Sequence, residues 1–109
     1  MEKETLTVSL RCENGTLTAA LTGEIDHHNA KAAREAIDKA VFKHRPTRLA
    51  LELSGVGFMD SSGLGLILGR CALCEELGIA VTLESPSLRV RKVLAVAGID
   101  RLQNLTVNS

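Results

Sequence analysis

An alternating strand that ends in small polar residues and restarts as an apolar helix leaves few folds open to a chain. Here that junction is Phe58-Met59-Asp60-Ser61-Ser62-Gly63-Leu64-Gly65. It follows residues 49–53, where Leu49, Leu51 and Leu53 alternate with Ala50 and Glu52, and it leads into Leu66-Ile67-Leu68. The first turn of the new helix carries unpaired backbone N–H groups and the positive end of the helix dipole, which suits an anion. Either Asp60 or Ser61 can cap it. If Ser61 caps, its hydroxyl is taken up by a first-turn amide, and Ser62, at the first helical position, keeps its hydroxyl free in solvent. Gly63 and Gly65 add no side chains, which leaves the turn open to a large visitor. The local pattern is equally that of a plain glycine-eased turn with a cap.

Upstream, Leu6, Val8, Leu10 and Cys12 alternate with Thr5, Thr7, Ser9 and Arg11, the period of a half-buried strand. Asn14-Gly15 predicts a two-residue hairpin turn, with Leu17, Ala19 and Leu21 on one face of the return strand. Gly23-Glu24-Ile25 ends that strand, and Asp26 is placed to cap a helix. Ala30, Ala33, Ile37, Ala40 and Val41 then recur at helical spacing. Lys31, Arg34, Glu35, Asp38 and Lys39 fill the other face, where Lys31–Glu35, Arg34–Asp38 and Glu35–Lys39 are four residues apart. Such pairs contribute only about 0.2–0.5 kcal/mol each, and this outer face reads as solvated and without function. His44-Arg45-Pro46 closes the helix, because residues before proline avoid helical angles.

In the helix after the junction, Leu64, Ile67, Leu68, Cys71 and Cys74 form a stripe suited to a sheet. Leu66, Leu73 and Leu77 form a second stripe on roughly the opposite side, interrupted by Arg70. Two arrangements fit: a central helix flanked by two others, or a partly exposed apolar strip beside the serines. Ile79, Val81 and Leu83 alternate with Ala80, Thr82 and Glu84 as a further strand. Ser85-Pro86 is expected to cap and start a third helix bearing Leu88, Val90, Val93 and Leu94, with Gly98 as its stop. Arg89, Arg91 and Lys92 read as solvated surface, and Leu102, Leu105 and Val107 permit a last short strand. The second face of the strands is small or charged rather than apolar, so the helices are expected on one face of the sheet only. The expected fold is one small α/β domain over residues 1–109, with a mixed sheet begun by a hairpin.

Composition excludes several functions. With 109 residues the chain can bury roughly 65% of its unfolded surface and needs no staples. Lysine plus arginine and aspartate plus glutamate are 13 each, which leaves no electrostatic footprint for nucleic acid. Phe42 and Phe58 are the only aromatic residues, too few for base stacking, and the core must be aliphatic. No apolar run approaches a membrane span, and Met1-Glu2-Lys3-Glu4 is a polar start without a signal-peptide core. Cys12, Cys71 and Cys74 are an odd, unframed set that fits a reducing cytosol, hence a cytoplasmic location. Cys71 and Cys74 fall inside a helix on its sheet-facing stripe, so they read as core residues rather than redox or zinc ligands. A Gly-x-Ser-x-Gly hydrolase elbow does not match, since Gly57 lies five residues before Ser62. Gly63-Leu64-Gly65 lacks the lysine and spacing of a P-loop. No catalytic residue, metal ligand or cofactor site is expected.

Phe58 to Gly65, with Ile67-Leu68-Gly69-Arg70 after it, resembles the signature of STAS-domain anti-sigma factor antagonists. Leu21-Thr22-Gly23-Glu24-Ile25-Asp26-His27-His28 resembles that family's second landmark, and the similarity runs in order from Leu6 to about Leu105. The resemblance implies a non-enzymatic protein that binds an anti-sigma factor, itself a serine kinase, and so releases a sigma factor. It places the phosphorylated serine at Ser62, the second of the pair, and implies a phosphatase that restores it. Asp26, His27, Asp60, Ser61, Gly63, Leu64 and Gly65 are the partner-contacting residues that it marks. Family members usually continue with another helix where this sequence stops at Ser109, which puts contacts depending on that helix in doubt. Two other roles fit the same resemblance: a constitutive STAS scaffold in a larger signalling or transport assembly, and a ligand sensor using the turn as an anion pocket.

Overall fold

Asn14 and Gly15 both take positive φ, 51° and 79°, the backbone of a type I′ turn. They fold β1 (Thr7–Glu13) onto β2 (Thr16–Ile25) as an antiparallel hairpin. The computed structural model describes residues 6–109. Thr5, which the alternation adds to the first strand, and the polar start at residues 1–4 lie outside the described residues.

Each later strand adds in parallel beside its predecessor: β3 (Arg48–Met59), β4 (Ala80–Glu84) and β5 (Leu105–Asn108), in the order 1-2-3-4-5. The crossovers are α1 (Ala30–His44), α2 (Ser61–Leu77) and α3 (Leu88–Val96), the last followed by a 3-10 turn at Ile99–Arg101. One register row runs through Leu17, Leu49, Val81 and Leu105, and the next through Ala19, Leu51, Leu83 and Val107. These rows share a single apolar cluster with Ile37 and Val41 of α1, Ile67, Cys71 and Cys74 of α2, and Val90 and Leu94 of α3. The opposite face presents Thr18, Ala20, Glu52 and Glu84, all partly exposed, and no residue of those joins the cluster. The helices therefore cover one face, as the small or charged alternate positions predict. Both phenylalanines are exposed, and aliphatic side chains fill the core.

Three details differ from the sequence expectations. Alternation in β1 does not bury Leu10 or Cys12, because β1 is an edge strand and only Leu6 and Val8 reach the core. β3 runs on to Met59 rather than ending near Leu53. Its buried residues switch to a spacing of three, Leu53, Val56 and Met59, because the pairing with β2 shifts register between Ala20 and Thr22 and again between Gly23 and Glu24. The third helix is capped by Ser87, whose hydroxyl accepts from Val90 N at 3.2 Å, and not by Ser85. Ser85 instead takes a left-handed φ of 53° and donates its N–H to the Asn108 carbonyl, which ties β4 to β5. The other ends match: Arg45, left-handed before Pro46, closes α1, and Gly98 follows α3.

Candidate functional site

β2 and β3 end together, with Ile25 opposite Met59, so Asp26 and Asp60 emerge side by side at the C-terminal ends of these two interior strands. Asp60 N donates to the Ile25 carbonyl at 3.3 Å, and the Asp60 carboxylate accepts from Ser62 N at 2.8 Å. Gly63 N and Leu64 N donate to the Asp60 carbonyl. Asp60 is therefore the cap of α2, and Ser61 is the first helical residue. A cap at Ser61 had been the condition that left only Ser62 free. With Asp60 in that place, the hydroxyls of both serines are without a hydrogen bond to any described residue.

What separates the serines is the groove each one lines. Ser61, exposed, lines a shallow apolar groove of about 530 Å³ between α2 and α3, with Met59, Leu64, Val93, Val96 and Lys92. Ser62, half-buried, lines a second groove of about 380 Å³ between α2 and α1, with Ala30, Lys31, Arg34, Gly65 and Leu66. Of the second apolar stripe on α2, Leu66 is buried and only Leu77, at the far end of the helix, is largely exposed. The second stripe is thus that of a central helix packed on its neighbours, and the apolar surface beside the serines is the groove that Leu64 shares with Val93 and Val96.

Gly63 and Gly65 differ in kind. A Cβ on Gly63 would lie 2.6 Å from Met59 Cβ and 3.2 Å from Ile25 Cβ, whereas one on Gly65 would meet nothing within 4 Å. Gly63 is buried and lets the start of α2 sit directly on the ends of β2 and β3, so the opening for a visitor is at Gly65. Replacing Gly63 by alanine is expected to cost about 1–3 kcal/mol in urea unfolding, the usual penalty of overpacking. Gly65→Ala should be neutral or stabilise by up to about 1 kcal/mol through helix propensity.

Asp26 does not cap α1 itself. Its carboxylate accepts from His28 N at 2.9 Å and Asn29 N at 3.2 Å, one turn ahead of Ala30, where the helix begins. Asn29 reciprocates, accepting from Asp26 N at 3.0 Å and donating to the Glu24 carbonyl at 2.9 Å. This closed pair of bonds works like a capping box and fixes the loop beside Asp60. His27 and His28 stand exposed on that loop with ring centroids 3.9 Å apart.

Behind the Ser62 groove, Arg70 of α2 is buried and its Nε lies 2.9 Å from Asp38 Oδ1 of α1. The pair is close but poorly aligned for a hydrogen bond, and Arg70 Nη1 is buried with no acceptor. Desolvation lowers the Arg70 pKa, and the Asp38 charge opposes that shift. Asp38 is thereby drawn away from Arg34, and none of the three i,i+4 pairs read from the sequence of α1 forms among the described residues.

Cys71 and Cys74 are buried on the sheet-facing side, and burial foremost pushes each thiol up to about 11. At pH 8 a thiol reagent should modify one cysteine of the native protein, the exposed Cys12, and all three only after unfolding. The raised values also set a sign: the folded state holds its protons where the unfolded chain loses them. The stabilisation is complete below pH 9 and falls away as the pH rises from 9 towards 11. Among the described residues, no group of three or more His, Cys, Asp or Glu is placed to hold a metal ion.

Lys31, Arg34, Lys92, Val93 and Val96 line the two grooves, yet sequence reasoning assigned the charged ones to solvated surface. Helical spacing alone could not flag them, since it offered Arg34 a partner on its own helix.

A five-stranded mixed sheet with three helices on one face is the architecture of a STAS domain. The chain belongs to that family, whose model, the STAS domain, matches residues 7–109. It is 39% identical over 84 residues to an anti-sigma F factor antagonist of Lysinibacillus sphaericus, covering 77% of this chain and 72% of that one. It is similar to the solved structure of the anti-sigma factor antagonist SpoIIAA in its unphosphorylated form, with TM-score 0.79 and 32% identity over 94% of this chain and 89% of that one. It is also similar to the Bacillus cell fate determinant SpoIIAA in the phosphorylated form, with TM-score 0.74 and 31% identity over 94% and 92% of the two chains. No helix among the described residues is long and apolar enough to cross a membrane.

Proposed function

We propose that this domain is an anti-sigma factor antagonist. It binds an anti-sigma factor with serine-kinase activity at the edge formed by Asp26, His27, Asp60, Ser61, Leu64 and Gly65, and so frees a sigma factor. Phosphorylation of Ser62 ends the interaction, and a phosphatase renews it. The observation that carries this reading is the serine pair opening α2, both hydroxyls unengaged, of which Ser62 lines the groove shared with Lys31 and Arg34 of α1. The relatives support it, because one is an anti-sigma F factor antagonist and the similar SpoIIAA structures include an unphosphorylated and a phosphorylated form. The domain does no chemistry of its own; it is a kinase substrate and a docking surface.

A phosphate adds about −1.5 to −2 charges, next to the Asp60 carboxylate, and a partner closing on this edge would have to desolvate both. The fold itself survives, since α2 presents its N-terminus to the new charge. The test is incubation with the anti-sigma kinase and ATP, followed by mass spectrometry. One phosphate on Ser62 is expected, with none on Ser62→Ala, which should still bind the anti-sigma factor. Phosphate on Ser61 overturns the assignment of the serine. Absence of phosphorylation with retained binding would make the domain a constitutive scaffold.

A further inference from the structure

We infer that Arg34, assisted by Lys31, holds the phosphate of Ser62 in the groove between α1 and α2 of the same chain. The inference rests on Ser62 being the modified serine and adds a receptor for the phosphate on a different helix.

The groove that Ser62 lines has Lys31 and Arg34 on its opposite wall. Both side chains are exposed, and neither has a carboxylate within ion-pair distance among the described residues. For Arg34 this has a cause. Asp38, four residues on and placed to neutralise it, is committed to Arg70 across the helix interface at 2.9 Å. Burial foremost lowers the Arg70 pKa against the opposing Asp38 charge, and the nearby Arg34 charge adds a smaller lowering. The groove thus carries two cations without an ion-pair partner among the described residues, and it is lined as well by a serine whose hydroxyl has no hydrogen bond to any described residue. Between them Gly65 contributes no side chain, and nothing stands within 4 Å of where its Cβ would be.

A guanidinium presents N–H groups in a fork that matches two phosphate oxygens, so Arg34 is the principal ligand and Lys31 a second point charge. Asp60 opposes this binding from the other side of the turn, where its carboxylate accepts from Ser62 N at 2.8 Å. A phosphate turned towards Arg34 relieves that repulsion. The modification therefore also fills the groove beside Gly65 with its own chain's charges, and the phosphorylated form presents a different surface from the unmodified one.

The test installs phosphoserine at position 62 during translation, so that no kinase is needed. The second ionisation of the phosphate is then followed by ³¹P NMR against pH. Neighbouring cations lower that pKa, so Arg34→Gln should raise it by about half a unit, and Lys31→Gln by less. The phosphorylated protein should melt higher than the unmodified protein at pH 8, and that difference should shrink in Arg34→Gln to what the helix dipole alone supplies. An unchanged phosphate midpoint in Arg34→Gln, with the unmodified variant folded as wild type, overturns the proposal. A failure of the kinase to modify Ser62 is a separate result and bears on the choice of serine alone.

Discussion

Ser62→Glu is expected to lower the affinity for the anti-sigma factor more than a hundredfold and to leave the domain folded. A loss of about 3 kcal/mol, the low end for a charge forced out of water without a partner across an interface, gives that factor. Ser62 sits half-buried, between Asp60 and the groove, and a docking surface there would have to enclose a carboxylate at close range. The fold should tolerate the same carboxylate, because a negative charge in the first turn of α2 interacts favourably with the helix dipole. Titration calorimetry and thermal unfolding on one preparation separate the two effects. Tight binding by the folded Ser62→Glu protein would count against charge as the off-signal. A large drop in melting temperature would instead assign Ser62 a structural part.

The largest expected change in stability lies about two helical turns further along α2, at Arg70 and its partner Asp38. Removing one partner of a fully buried ion pair costs about 3–5 kcal/mol, because the other is left charged and dry. The Asp38 side chain is 28% exposed against 8% for Arg70, so the cost of Asp38→Ala should fall nearer about 2–3 kcal/mol. Arg70→Met, which removes the more deeply buried charge, keeps apolar volume and strands only the partly exposed Asp38, should cost less than Asp38→Ala. The two variants differ only in which charge is stranded, and urea unfolding reads the difference directly. Equal destabilisation by both would mean that the pair contributes through packing and not through its charges.

The fold could be read from the sequence where one local pattern governed the outcome. Asn14-Gly15 needed positive φ at two adjacent residues, and few sequences supply it. The alternation of Leu49, Leu51 and Leu53 with small or charged neighbours required a sheet covered on one face. Pattern reading went wrong where period two broke: β3 continues to Met59 through two bulges that only its pairing with β2 creates. Ser85 lost the cap of α3 to Ser87 for a similar reason, since its own backbone is held by β5.

At the site, the residues Asp60-Ser61-Ser62-Gly63 and the Asp26 loop were legible as a motif, but their division of labour was not. Which residue caps α2 depended on the strand ending at Met59, and that was settled by pairing with Ile25. Whether a glycine opened the turn or packed it depended on what stood opposite: Met59 for Gly63, solvent for Gly65. The charges of α1 showed the same division most clearly. The sequence determined that Arg34 and Asp38 would share a helix face at ion-pair spacing. The tertiary structure decided that Asp38 would turn to Arg70, because a buried guanidinium has no water to fall back on and an exposed one does.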